Sequence, residues 1–188
     1  MSNKIKALFL DRDGTVIKEK PGVYLCDPKK VQLYKNTKAA FKLFKEMGFK
    51  IFIVSNQSGI GRGYFTQKEV SAVHDKLLSL LKPYQIEEIV YCPHAPSENC
   101  SCRKPAPTMG LKLIKKYKVD TKISFVIGDK KSDTDFAKNL NMRPILVLTA
   151  NGRKQQKKYA ADLKDVKICL DLLGAAKYIQ KTQREFLK

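Results

Sequence analysis

Apolar residues gather along the chain in short runs, and between those runs they recur at helical spacing. Ala7-Leu8-Phe9-Leu10 closes a strand expected over Lys4 to Leu10. Lys50 to Val54, Ile89 to Tyr91, Ile123 to Ile127 and Ile145 to Leu148 supply four more, and Val166 to Cys169 a sixth. Short runs with few polar breaks fit strands covered on both faces. Ala40, Phe41, Phe44 and Met47 share one face of a helix that Asn36 or Thr37 can cap and Gly48 can end. Val70, Val73, Leu77, Leu78 and Leu81 stripe another, opened by a capping box from Thr66 to Glu69 and closed by Pro83. A third helix has Pro107 in its first turn and carries Leu111, Ile114 and Tyr117. A short fourth turns Phe136, Ala137 and Leu140 inward, and Leu172 to Ile179 reads as the last. Val16 to Tyr34, with Pro21-Gly22 and Asp27-Pro28, keeps no period and predicts an irregular excursion. Strands alternating with helices predict an α/β fold, a mostly parallel sheet with helices on both faces. Nothing resembling a linker or repeat divides the chain, so residues 1–188 are expected to form one domain.

Polar clusters stand where these strands run out. Asp11-Arg12-Asp13-Gly14-Thr15 follows the first strand, and residues two apart on extended backbone point the same way. Two such carboxylates repel unless a cation lies between them, and a hard, oxygen-seeking ion such as Mg²⁺ suits that position. Ser55-Asn56 after the second strand offers a hydroxyl, an amide and backbone N–H groups, a set suited to phosphoryl oxygens. The polar, Gly-rich stretch Gln57 to Gly63 follows. Gly128-Asp129-Lys130-Lys131-Ser132-Asp133 closes the fourth strand with a further carboxylate, and Asp133 is placed to cap the next helix or to support the metal from behind its ligands. Lys104 supplies a positive charge. In an open parallel sheet all these clusters fall on the carboxyl edge, where ligands bind.

Charge alters the picture less than its size suggests. Lys and Arg number 37 against 18 Asp and Glu, a net charge of +19. The cations are spread along the chain without a basic-aromatic pattern, so they read as a solvated surface rather than a nucleic-acid face. No run approaches the ~18 apolar residues of a membrane span, and a cytoplasmic protein without a membrane partner is expected. Five cysteines do not make a disulfide framework. Cys92, His94, Cys100 and Cys102, however, crowd into a loop at about 92–102. Three thiolates and an imidazole suit a closed structural Zn²⁺ site, with free thiols as the alternative. Cys26 and Cys169 read as ordinary buried thiols.

The order Asp-x-Asp-Gly-Thr, Ser-Asn, Lys, Gly-Asp-x-x-x-Asp resembles the haloacid dehalogenase phosphohydrolase superfamily over about Ile5 to Leu148. The Cys/His loop running into Arg103-Lys104-Pro105 is similar to one small branch, the D-glycero-D-manno-heptose 1,7-bisphosphate 7-phosphatases and the histidinol-phosphate phosphatases. SNQSGIGRGYFT (Ser55 to Thr66), GDKKSD and the Leu146 to Gly152 ending resemble the heptose enzymes. The five-residue gap between His94 and Cys100 resembles the histidinol enzymes, and the insertion around Glu19 to Tyr24 departs from both. The resemblance implies a Rossmann-like fold with a minimal cap and an Asp11 nucleophile that forms an aspartyl-phosphate. It implies Asp13 as general acid and base, Ser55 and Lys104 on the phosphoryl group, and Mg²⁺ held by Asp11, the Asp13 carbonyl and Asp129. Arg103, Lys130 and Asn56-Gln57-Ser58 would meet substrate, with specificity left to loops including Gly22 to Tyr24, Gln57 to Gly63 and the zinc loop. The implied partner is a sugar bisphosphate, and the implied form a monomer. A histidinol phosphatase and a polynucleotide 3′-phosphatase remain the alternatives. A polyanion-binding module would leave the three aspartates unexplained.

Overall fold

The computed structural model describes residues 4–20 and 22–185. Pro21, half of the expected Pro21-Gly22 turn, lies outside them. Six strands, β1 (Ala7–Leu10), β2 (Lys50–Asn56), β3 (Ile86–Cys92), β4 (Phe125–Gly128), β5 (Arg143–Val147) and β6 (Lys167–Cys169), form one sheet in the order β3-β2-β1-β4-β5-β6. Every neighbouring pair is parallel. The strand order reverses between β1 and β4, and the crevice that opens at such a reversal is where ligands sit in doubly wound sheets.

Among the described residues six α-helices cover the sheet: α1 (Thr37–Glu46), α2 (Gln67–Leu81), α3 (Thr108–Tyr117), α4 (Lys131–Asn139), α5 (Gly152–Lys158) and α6 (Leu172–Glu185). The period of two along β1 sorts the core. Leu8 and Leu10 pack with α1, α2 and α6, through Phe41, Phe44, Val73, Leu77, Ala175 and Ile179. Ala7 and Phe9 pack on the other face with Met109 and Leu113 of α3 and Phe136 and Ala137 of α4. All four residues of β1 are wholly buried, which is why their run carries no polar break. Asp11, the next residue, is held in register by its N–H on Ile127 O at 2.9 Å.

The structure departs from the expected elements at several places: β1 begins at Ala7 rather than Lys4, and β5 runs Arg143–Val147 rather than Ile145 to Leu148. β3 begins at Ile86, because Glu87 and Glu88 lie on an edge strand where their carboxylates reach Lys50 (3.0 Å), Lys116 (2.8 Å) and Tyr117 (3.0 Å). β4 begins at Phe125 rather than Ile123, which lies in a 3₁₀ turn. α5 was absent from the expected elements because GRKQQKK contains no apolar position. The segment is secured after its end, where Tyr159, Leu163 and Val166 pack on Leu146. The described residues of Val16 to Tyr34 are irregular apart from a 3₁₀ turn at Pro28–Lys30 and an isolated antiparallel bridge between Ile17 and Leu33. Among the described residues no helix is long and apolar enough to cross a membrane.

α2 carries one polar residue inward. His74 is buried against Tyr91, ring centroids 5.3 Å apart, and its Nε2 has no partner. Burial first, then the nearby Arg12 cation, lower its pKa to about 4. The folded chain therefore holds a neutral imidazole, whereas the unfolded chain takes up a proton below about pH 6.5. The resulting stability is complete above the unfolded value and is lost as pH falls from about 6.5 toward 4, by at most about 1.4 kcal/mol per pH unit. Thermal melts of wild type and His74→Phe between pH 7 and pH 5 should therefore diverge, the variant losing less. Parallel curves would show that His74 contributes nothing to acid sensitivity.

Candidate active site

The carboxyl edge gathers what the sequence distributes over more than a hundred residues. Asp11, Asp129 and Asp133 each place a carboxylate oxygen within 4.8 Å of the others. All three are buried. Gly14 makes the approach possible: its φ is +85°, and a Cβ there would stand 2.6 Å from Asp129 Oδ2. Lys104, itself 4% exposed, lies between two of the carboxylates. Its Nζ donates to Asp11 Oδ1 at 2.8 Å and to Val54 O at 2.6 Å, and pairs with Asp133 Oδ1 at 2.7 Å. Burial works against the charge on Lys104, but Asp11 and Asp133 outweigh it and raise its pKa. Asp133 Oδ2 accepts the Lys130 N–H at 3.1 Å, which fixes the start of α4.

Asp129 is placed differently. Its Oδ2 accepts the backbone and side-chain N–H groups of Asn151, both at 3.0 Å, while Oδ1 is buried with no partner. Burial pushes its pKa up to about 7, Lys130 opposing and Asp11 and Asp133 adding to the shift. A buried carboxylate oxygen without a donor, beside a second carboxylate, is a donor set for a hard divalent cation. The residues present fit Mg²⁺. Asp13 lines the same cleft as Asp11 but takes other partners: Arg12 Nε and NH2 donate to its two oxygens at 3.0 and 3.1 Å, and Gln57 Nε2 donates at 2.7 Å.

Ser55 and Asn56 end β2 inside the ladder, opposite Tyr91 and Cys92, rather than in the loop beyond it. Ser55 Oγ accepts from Gln57 Nε2 at 2.7 Å. Asn56 has its whole amide on the Lys104 backbone: Lys104 N–H donates to Oδ1 at 3.0 Å, and Nδ2 donates to Lys104 O at 3.1 Å. Ser58 Oγ meets Tyr24 OH at 3.2 Å, and Tyr24 also packs on Tyr64 and Phe65. Thus the excursion after β1 and the loop after β2 close on each other, forming a cleft of about 500 Å³. Gly22, Tyr24, Ser55 to Ser58, Arg103, Lys104 and Lys130 all line it.

Glu19 and Asn151 line the cleft although sequence reading gave neither a role, whereas Arg62 belongs to the loop Gln57 to Gly63 expected to set specificity. Glu19 binds Lys130 Nζ at 3.1 Å and Asn151 Nδ2 at 3.2 Å, and Asn151 in turn holds Asp129. Arg62 adds a cation to the wall. The signal for Asn151 was there, a polar residue in the Gly turn after β5 and so on the same edge. Glu19 sits in the excursion without period, and no pattern marks it.

The Cys/His loop converges as expected. Two sulfurs about 2.3 Å from a tetrahedral centre stand about 3.8 Å apart, a sulfur and an imidazole nitrogen about 3.5 Å. Here Cys92 Sγ lies 3.5 Å from Cys100 Sγ and 3.1 Å from Cys102 Sγ, with Cys100 and Cys102 3.6 Å apart. His94 Nδ1 is 3.5 Å from Cys92 Sγ and 3.2 Å from Cys102 Sγ. The set fits a closed Zn²⁺ site. Gly61 N–H donates to Pro93 O at 2.9 Å, so this loop and the one after β2 are braced together.

Comparison with known proteins places these features in a family context. Residues 6–166 match the family described as Polynucleotide kinase 3 phosphatase. A D-glycero-beta-D-manno-heptose-1,7-bisphosphate 7-phosphatase of Helicobacter pylori is 37% identical over 174 residues, 91% of this chain and 99% of that protein. The HisB bifunctional histidine-biosynthesis protein of Campylobacter jejuni is 42% identical over 146 residues, 76% of this chain but 41% of that protein. Among solved structures, a D,D-heptose 1,7-bisphosphate phosphatase from B. bronchiseptica, complexed with magnesium and phosphate, superposes with a TM-score of 0.87 at 29% identity. The match covers 95% of this chain and 99% of that one.

Proposed function

The chain belongs to the heptose-1,7-bisphosphate 7-phosphatase family of haloacid-dehalogenase-type phosphatases, and from that premise we propose that it removes the 7-phosphate of D-glycero-D-manno-heptose 1,7-bisphosphate, leaving the 1-phosphate, in nucleotide-activated heptose biosynthesis. The Asp11 carboxylate attacks phosphorus while the bond from phosphorus to the C7 oxygen breaks. Asp13 gives that oxygen a proton, then takes one from the water that hydrolyses the aspartyl-phosphate and releases inorganic phosphate. Lys104, Ser55 and Lys130 align and neutralise the transferring group, where most of the rate enhancement of phosphoryl transfer arises. Mg²⁺, held by Asp11, Asp129 and the Asp13 carbonyl, would supply further neutralising charge. Zn²⁺ on Cys92, His94, Cys100 and Cys102 would brace the loop that ends in Arg103 and Lys104.

The observation that carries the substrate is Arg103. It lines the cleft, and its Nη1 is buried without a hydrogen-bond partner. A guanidinium fork stays charged and suits a phosphate that is bound but not cleaved. The primary C7 phosphate enters beside Asp11, and the anomeric phosphate rests on Arg103. Arg103→Ala should lower kcat/KM for the bisphosphate by roughly 10- to 150-fold, the worth of about 1.5–3 kcal/mol in a charge-assisted contact. p-Nitrophenyl phosphate, which has no second phosphate, should be affected far less. The deciding comparison is kcat/KM for the heptose bisphosphate, histidinol phosphate and a 3′-phosphorylated oligonucleotide. A win by either of the last two refutes the substrate while leaving the reaction class in place.

A further inference from the structure

Arg12 is the largest fully buried side chain among the described residues, and it stands between the two aspartates of the Asp-x-Asp pair. A guanidinium does not give up its proton on burial, so it needs an anion in contact. The anion is Asp13: Arg12 Nε reaches Oδ2 at 3.0 Å and NH2 reaches Oδ1 at 3.1 Å. Both oxygens of Asp13 are thereby engaged from one side. Gln57 closes the other side of the arrangement. Its Oε1 accepts from Arg12 NH2 at 3.0 Å, and its Nε2 donates to Asp13 Oδ2 and to Ser55 Oγ, each at 2.7 Å.

Gln57 is 3% exposed and Ser55 1%, so the amide has little freedom to turn toward solvent. The four side chains form one connected network in which Arg12 Nη1 is left without a partner, and Asp13 is more accessible than Arg12, at 13% side-chain exposure against 1%. Asp11 is held by a separate cation, Lys104. Each aspartate of the pair thus has its own counter-ion, and the two carboxylates are oriented independently.

We propose that Arg12 and Gln57 are positioning residues that fix the Asp13 carboxylate in the one orientation from which it exchanges a proton with the leaving oxygen. The proposal rests on the reading of Asp13 as general acid and base. It separates two roles that the motif carries together: Asp11 with Lys104 forms the bond to phosphorus, and Asp13 with Arg12 and Gln57 handles the proton.

The test uses the full chain with Mg²⁺ and a series of substituted phenyl phosphates from p-nitrophenyl to phenyl. For such substrates kcat/KM reports the steps through phenol release, so hydrolysis of the aspartyl-phosphate does not enter. A poor leaving group needs the proton and a good one does not. Arg12→Met should leave p-nitrophenyl phosphate within a few-fold of wild type and lower phenyl phosphate by about 100-fold. Gln57→Leu should show the same pattern more weakly, and it carries the test if Arg12→Met fails to fold. Asp13→Asn should steepen the dependence at least as much, and Asp13→Asn with Arg12→Met no further, because both changes remove one function. A uniform loss across the series in Arg12→Met and Gln57→Leu, or full additivity in the double variant, overturns the proposal. A shallow dependence in Asp13→Asn alone overturns the acid-base reading beneath it.

Discussion

Asp11→Asn should abolish turnover, a loss of at least about 10⁴-fold in kcat, while the chain keeps its fold. An amide oxygen does not attack phosphorus at a useful rate, and the substitution also takes one negative charge from the Asp11, Asp129 and Asp133 cluster. The fold should survive because Lys104 keeps its 2.7 Å contact with Asp133 and its bond to Val54 O. Removing an anion from three carboxylates crowded within 4.8 Å also relieves repulsion. Phosphate release measured with Mg²⁺, alongside a thermal melt, checks both halves. Near-normal phosphatase activity in the folded variant would remove Asp11 from the chemistry and with it the covalent mechanism.

Loss of zinc should be the second large effect. Metal analysis of a reduced preparation should find one Zn²⁺ per chain, distinct from the ion at the aspartates. Chelation, or Cys100→Ala, should lower activity by about 100-fold without unfolding the sheet. The reason lies in how the loop is held. Cys92 is the ligand buried in the core, while Cys100 and Cys102 pack against it only in part. The loop delivers Arg103 and Lys104 to the cleft, and Lys104 is clamped by Asn56 through both backbone groups. With the thiolates released, that clamp, the Gly61 bond to Pro93 O and the Thr108 hydroxyl on Ser101 O must hold the loop without the metal. Full activity in a zinc-free chain with Cys100→Ala would show that the clamp suffices.

Much of this arrangement was legible in the residues themselves. The apolar runs placed six strands, because a strand covered on both faces can hold only apolar side chains and so leaves an unbroken run. The capping box at Thr66 and Glu69 marked the start of α2, and it forms as expected. The polar clusters at the carboxyl ends of β1, β2 and β4 fall on one edge, since parallel strands all end on the same side. Cys92, His94, Cys100 and Cys102 were similarly legible, because three thiolates and an imidazole within eleven residues suit one closed metal site. In each case the deciding interaction is local, or follows from the period of the backbone.

Tertiary structure decided what depends on partners distant in sequence. Asn151 holds Asp129 across 22 residues of chain and Glu19 reaches Asn151 across 132, and neither belongs to a periodic pattern. The α5 helix has no apolar stripe, so only its flanking contacts fix it. Sequence reading took Asn56 and Gln57 as substrate contacts on the strength of their polarity, but it could not show where their amides are committed. That depends on which buried charges need them: Lys104 must be held between Asp11 and Asp133, and the buried Arg12 must keep Asp13. The composition of a site follows from residue chemistry and the geometry of the sheet edge. The pairing within it follows from burial, because only folding removes the water that would otherwise have satisfied each charge separately.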